Sequence, residues 1–299
     1  MNVVYDDIVN AQKAQGNVIR KTSLTFSDTF TKITGSTVYL KNEFEQKTGS
    51  FKLRGAYYKI KTLSSEERKN GVVAASAGNH AQGVAFASAL EKINCTIVMP
   101  KNASPAKVAA TRGYGATVIL EGKNYDEAWI KAQEIAKTTG ATIIHAFDDS
   151  QIIAAQGVIG LEIIEQLPDV DEIYVPIGGG GLVAGVLSAI KDKNPNVKVI
   201  GVESKSFPSM KKSLDSGKVE TIEGGFTVAD GISVKTPGKQ TFEIIKDKID
   251  EIVLVDDDEI INAMFLLMER AKSVVEPAGA AGLAYLISKK PSPGKKVVP

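Results

Sequence analysis

The sequence predicts an α/β fold in which helices cover an open parallel sheet. Two observations carry this. Short β-branched runs alternate with amphipathic stretches through most of the chain, and the connections between them are short and marked by Gly, Asn or Pro. The 299 residues also sit near the ~250–300 at which single cores stop growing, so one large unit or two closely joined ones is expected.

The elements follow in order. A strand at 71–75 precedes an Ala-rich helix over 79–92, and a strand at 95–99 ends at Pro100. Ser104 and Pro105 then read as an N-cap and first helical position. A strand at 116–120, a helix over 125–137 and a strand at 142–144 come next. They are followed by a helix near 151–166, a strand at 172–177, a helix near 181–191 and a strand at 197–202. The stretch 204–249 is irregular in pattern and rich in Lys, Gly and Ser. A strand at 252–255 opens onto Asp256-Asp257-Asp258-Glu259, acidic residues suited to a helix N-terminus, and helices over 257–271 and 277–288 follow. Residues 295–299 read as a strand just beginning.

Composition narrows the function. Lys plus Arg number 36 against 35 Asp plus Glu, which removes the basic excess that phosphate-backbone recognition leans on, so no nucleic-acid partner is expected. No apolar run is long enough to span a bilayer, and MNVVYDDIVNAQKAQG lacks the basic and apolar regions of a signal peptide, so the expectation is a cytoplasmic protein with no membrane partner. A single cysteine and two histidines leave little for a disulfide framework or a thiolate or imidazole metal centre.

Chemistry concentrates in three places. Gly178-Gly179-Gly180-Gly181 joins an apolar strand to a helix beginning near Leu182. Backbone N–H groups there can converge on an anion without interference from Cβ atoms, and the helix N-terminus adds positive potential. Gly179-x-Gly181-x-x-Ala184 also satisfies the dinucleotide pattern, with Glu203 placed like a ribose-binding acid. The loop alone therefore leaves a dinucleotide, a smaller phosphate ligand and plain tight packing all open. Second, Lys52 lies between Phe51 and Leu53 at the opening of a helical stretch capped by Ser50. Apolar neighbours and a nearby cationic phosphate site would lower its pKa, as a Schiff-base amine requires. Third, Ser76-Ala77-Gly78-Asn79-His80 follows a strand at another helix N-terminus and suits a substrate carboxylate. Ser76 and Asn79 as caps, and His80 as a packing residue, are the structural alternatives.

Ser50-Phe51-Lys52-Leu53-Arg54-Gly55-Ala56, the loop from Ser76 to Gly83, the tetraglycine and Glu276-Pro277-Ala278-Gly279-Ala280 occur in this order. Together they resemble the fold-type II pyridoxal-phosphate enzymes, in particular the threonine dehydratase and serine racemase group, from about residue 5 to the end. The resemblance implies the tryptophan synthase β-like architecture of two open-sheet α/β domains. Residues 1–64 and 149–299 would form a large cofactor-binding domain, and 65–148 a small mobile domain closing on substrate. It further implies that pyridoxal 5'-phosphate is held on Lys52, beside Phe51, with Asn79 on its ring hydroxyl. The backbone of Gly178, Gly179, Gly180, Gly181 and Leu182 would hold its phosphate. Ser76, Ala77, Asn79 and His80 would receive the substrate carboxylate. Lys52 would then remove the α-proton, so that L-threonine gives 2-oxobutanoate and ammonia, and L-serine pyruvate. A homodimer or homotetramer is the usual assembly in this group.

Three departures qualify the resemblance. The racemase's second proton donor, a serine, is replaced by Ala77, which favours dehydration over racemisation. The racemase's divalent-metal site retains Glu203 and a carbonyl position at Phe207 but has Ser209 for its second acid, so no divalent metal is expected and Glu203 is the residual candidate. The family continues into a Ser/Cys-Gly-Gly-Asn turn that bonds the pyridine nitrogen, and the expectation here is a large domain lacking its last strand and that turn.

Overall fold

The computed structural model describes residues 3–299. Its N-terminal part runs through α1 (Tyr5–Gln15), β1 (Leu24–Phe26), α2 (Asp28–Thr34), β2 (Thr37–Lys41), a 3-10 turn (Glu43–Glu45), α3 (Lys52–Lys61) and α4 (Ser65–Asn70). There follow β3 (Val72–Ala75), α5 (Asn79–Glu91), β4 (Cys95–Met99), α6 (Pro105–Gly113), β5 (Thr117–Leu120), α7 (Tyr125–Thr139) and β6 (Thr142–Ile143). The rest comprises α8 (Ser150–Gln166), β7 (Glu172–Pro176), α9 (Gly181–Ile190), β8 (Lys198–Ser204), α10 (Ser209–Ser216), α11 (Lys239–Lys248), β9 (Glu251–Val255), α12 (Asp257–Ala271), α13 (Pro277–Lys289) and β10 (Lys296–Val298).

Two open sheets result. One has six strands in the order β1-β2-β10-β7-β8-β9, parallel except for the antiparallel edge pair β1–β2. The other has four parallel strands in the order β5-β4-β3-β6. Parallel strands need crossover helices on both faces, which explains why β3 and β7 are buried almost throughout and read as unbroken apolar runs. The four-stranded sheet shares its core with α3, whose Leu53, Ala56, Tyr57 and Ile60 pack among Ala81, Val84 and Ile97. Ile153, Val158 and Ile163 of α8 pack instead with Val183, Val186 and Leu187 of α9 on the six-stranded sheet.

Four expectations change. The last strand is present: Lys296–Val298 pairs in parallel with β2 on one side and β7 on the other, near the middle of the larger sheet. The sequence marks only the start of a strand here, and its place in the sheet is specified by the two neighbours. Ser104 stands at the N-cap of α6 but its hydroxyl makes no capping bond, leaving Pro105 as the start signal. Ser50 does not cap α3, which begins at Lys52 after Phe51, and the Ser50 hydroxyl is buried without a partner among the described residues. The irregular stretch 204–249 contains α10 and α11. Asp256 behaves as its sequence suggests, in a capping box with Glu259.

A buried ion cluster locks α3 in place. The Arg54 guanidinium, 0% exposed, spans Glu162 of α8 (Nη1–Oε1 2.7 Å, Nη2–Oε2 2.9 Å) and Glu43 (Nε–Oε2 2.8 Å, Nη2–Oε1 2.8 Å). Lys41 of β2 adds a second cation, with Nζ 2.6 Å from Glu162 Oε2. Two carboxylates face two cations, all with little access to water. Lys52 stands two residues before Arg54, on the helix this cluster holds.

Candidate active site

The site is assembled where loops leave the carboxyl ends of both sheets. Lys52 opens α3, and α5 crosses its backbone at Gly83, where a Cβ would lie 3.2 Å from the Lys52 carbonyl carbon. The Lys52 side chain is half-buried. It donates to the carbonyl of Ala146 at 2.9 Å and lies 5.2 Å from the Phe51 ring centroid. It forms no ion pair among the described residues. Burial lowers its pKa to about 8, against a weaker opposing pull from Glu276. A structural lysine at this depth would be expected to hold a carboxylate, as Lys41 does. Lys52 instead has a neutral carbonyl partner and an amine that sheds its proton far more readily than usual.

The tetraglycine connects β7 to α9, with Gly180 in the left-handed region at φ 94°. A Cβ on Gly179 would lie 2.4 Å from the Phe147 ring, and one on Gly181 2.9 Å from the Phe147 backbone, so the side-chain faces of the loop are closed by protein. Its donors remain free: the N–H groups of Gly178, Gly179, Gly180, Gly181 and Leu182 find no acceptor among the described residues. The last two are ordinary first-turn orphans, but the first three extend the set into a nest for an anion.

The loop after β3 offers a second set. The N–H groups of Ala77, Asn79 and His80 are likewise without acceptors among the described residues. The Ser76 hydroxyl accepts from the Gly78 N–H at 3.2 Å, leaving its own proton to give. Asn79 Nδ2 donates to Glu276 Oε1 at 2.6 Å, across from α5 to the N-cap of α13. A Cβ on Gly231 would lie 2.9 Å from the Ala278 Cβ and 4.0 Å from Glu276 Oε1, and one on Gly178 would lie 3.3 Å from the Gly231 carbonyl oxygen. Lys52, Ala146, Phe147 and the tetraglycine are thus neighbours on one side of the site, and Gly231, Glu276 and Asn79 on the other.

Two sequence candidates point elsewhere. The His80 ring is buried and its Nε2 lies 2.8 Å from the Ile144 carbonyl, which can only accept, so Nε2 carries the proton. Burial, then the Lys52 amine, depresses its pKa to about 3. The imidazole is neutral and committed, and only the His80 backbone N–H faces a ligand's needs. Glu203 is fully buried, and burial raises its pKa to about 7. Its two oxygens accept from the N–H groups of Met210 (2.8 Å) and Lys211 (2.9 Å), capping α10. Turned inward in this way it serves neither as a ribose acceptor nor as an open metal ligand, which removes the support for the dinucleotide reading.

Ala146, Phe147 and Asp148 were not singled out by sequence. Their parts are played by a carbonyl, a ring face and a cap on a distant helix, none of which has a motif. Glu276 stood in a quoted motif, and its role as Asn79's partner emerges only from the fold.

The site suits a phosphorylated aldehyde: one region presents free N–H donors for a phosphate, and another an amine with a lowered pKa. A family model described as pyridoxal-phosphate dependent enzyme matches residues 16–298. An L-threonine ammonia-lyase of Thermotoga maritima is 53% identical over 295 residues, which are 99% of this chain and 74% of that protein. A catabolic L-threonine dehydratase of Escherichia coli K12 is 46% identical over 288 residues, 96% of this chain and 88% of that one. The solved structure of maize serine racemase superposes with a TM-score of 0.96 at 34% identity, covering 100% of this chain and 92% of its own.

Proposed function

The chain belongs to the pyridoxal-phosphate dependent enzyme family, and on that premise we propose that it is a threonine ammonia-lyase, converting L-threonine to 2-oxobutanoate and ammonia and L-serine to pyruvate and ammonia. The observation that carries the reading is the Lys52 amine, which is bonded to a neutral carbonyl, has no carboxylate partner among the described residues, and has its pKa lowered to about 8. Two relatives that match nearly the whole chain bear threonine ammonia-lyase and threonine dehydratase names, which supports this substrate class.

Bound pyridoxal 5'-phosphate supplies an electron sink for charge that develops at the substrate α-carbon. Lys52 is its attachment point, with the tetraglycine N–H groups and that of Leu182 on the phosphate and the Phe51 ring alongside. Asn79 offers its second Nδ2 proton to the ring hydroxyl, held in orientation by Glu276. The N–H groups of Ala77, Asn79 and His80, with the Ser76 hydroxyl, receive the substrate carboxylate. Lys52 Nζ, once free, takes the α-proton. The β-hydroxyl would leave as water, the proton it gains balancing the one taken by Lys52, and the released enamine would take up water to give keto acid and ammonia.

Residues 65–148 act as the small domain, closing over the substrate and excluding water, with 1–64 and 149–299 as the cofactor-binding domain. Among the described residues no helix is long and apolar enough to cross a membrane, and we place the protein in the cytoplasm. We propose a homodimer or homotetramer. Its support is the exposed Ile261, Phe265 and Met268, spaced four and three apart along one face of α12.

Ala77 separates the lyase from a racemase, because inversion needs a proton donor on each face and a methyl group has none. Incubation of the cofactor-loaded protein with L-threonine and L-serine should yield keto acid and ammonia in equal amounts, with no D-serine. Absence of keto acid from both substrates, or D-serine formed as fast as pyruvate, would refute the assignment.

A further inference from the structure

The peptide joining Gly179 to Gly180 is held from behind. The Gly179 carbonyl accepts from the Thr241 hydroxyl at 2.7 Å and from the Gly238 N–H at 3.2 Å. Thr241 is 0% exposed. Its single hydroxyl proton is committed to Gly179, because the alternative acceptor, Gly238 O, is farther at 3.1 Å. In a planar trans peptide the C=O and the next N–H point in opposite directions. Fixing the Gly179 carbonyl toward α11 therefore aims the Gly180 N–H away from it.

Thr241 is itself held. The Asp148 carboxylate accepts from the N–H groups of Lys239 (3.0 Å), Gln240 (2.8 Å) and Thr241 (3.2 Å), capping the first turn of α11. Gly238 must be glycine for this, since a Cβ there would lie 2.4 Å from Asp148 Oδ1. The same short segment supplies the Ala146 carbonyl to Lys52 and the Phe147 ring to Gly179, and is folded back by His145 Nδ1, which accepts from the N–H groups of Phe147 and Asp148.

We infer that Thr241 is a positioning residue for the phosphate cradle, fixing the Gly179–Gly180 peptide so that its N–H faces the cofactor phosphate, with Asp148 setting the helix that carries it. The inference rests on the tetraglycine holding phosphate. Thr241→Val replaces the hydroxyl by a methyl of similar shape and leaves Gly179 one donor short. Pyridoxal tests the mechanism, since it carries the same aldehyde to Lys52 but no phosphate.

Equilibrium titration of the cofactor-free protein should show Thr241→Val binding pyridoxal 5'-phosphate about tenfold more weakly, ~1.4 kcal/mol, with pyridoxal affinity unchanged. Thr241→Ser, which keeps the hydroxyl, should restore wild-type binding. Asp148→Asn, which weakens the cap without touching the loop, should shift the same selectivity in the same direction and serves if Thr241→Val does not fold. Equal weakening of both ligands, or of neither, would overturn the role of Thr241. A wild-type protein that binds the two equally well would overturn the cradle itself, and the inference with it.

Discussion

Lys52→Ala should lower turnover of L-threonine by roughly 10³-fold or more while leaving the protein folded. One substitution removes both the attachment point of the cofactor and the base, and a positioned base alone contributes ~10²–10⁴-fold. Folding should survive because Lys52 makes one hydrogen bond, to the Ala146 carbonyl, and no ion pair among the described residues. Alanine is also favourable at the start of α3. Lys52→Arg separates charge from chemistry: a guanidinium keeps the positive charge but cannot be deprotonated or condense with an aldehyde, so it should be as inactive as the alanine variant. Retention of more than a tenth of wild-type turnover by either variant would contradict the role given to Lys52.

Arg54→Ala should lower unfolding free energy by about 3–5 kcal/mol, measured by urea denaturation of the cofactor-free protein. The size follows from what remains. Glu43 and Glu162 would stay in place with Lys41 as their only cation among the described partners, and removing one member of a buried ion cluster leaves the others uncompensated. Arg54→Lys should rescue little, because a single ammonium cannot span two carboxylates as the fork of Arg54 does. The cluster joins β2, the turn at 43–45, α3 and α8, so its loss should also loosen the helix that begins at Lys52. A loss under about 1 kcal/mol would show that the cluster is solvated and that α3 is held by apolar packing.

How much was legible in the sequence depended on whether the signal was local. Strands β3, β4, β7 and β8 are crossed by helices on both faces, so their apolar runs are dense and their limits fall within a residue or two of the structure. α11 escaped notice because its buried Thr241, Phe242, Ile244 and Ile245 alternate with Lys, Gln, Glu and Asp inside a Lys-rich stretch. β10 was legible only as a strand just beginning, because its three residues acquire their place only between β2 and β7. The site divides in the same way. Gly178–Gly181 and the loop at 76–80 are single-segment devices, readable from strand-to-helix glycines and capping chemistry. Glu276, Asp148 and Thr241 act across long sequence separations, on Asn79, on α11 and on Gly179. Asp148 also precedes Asp149, which does cap the adjacent helix α8, so locally the pair reads as one helix start. His80 and Glu203 show the converse: their residue types promised ligands, and the fold turned both inward to satisfy backbone groups.

The central claim is that Lys52 carries the cofactor. Borohydride reduction of the protein loaded with pyridoxal 5'-phosphate, followed by proteolysis and mass mapping, tests it directly. The expected result is one phosphopyridoxyl group per chain, on the peptide containing Phe51-Lys52-Leu53. A label confined to another lysine, or no label on a preparation that turns over L-threonine, would contradict it.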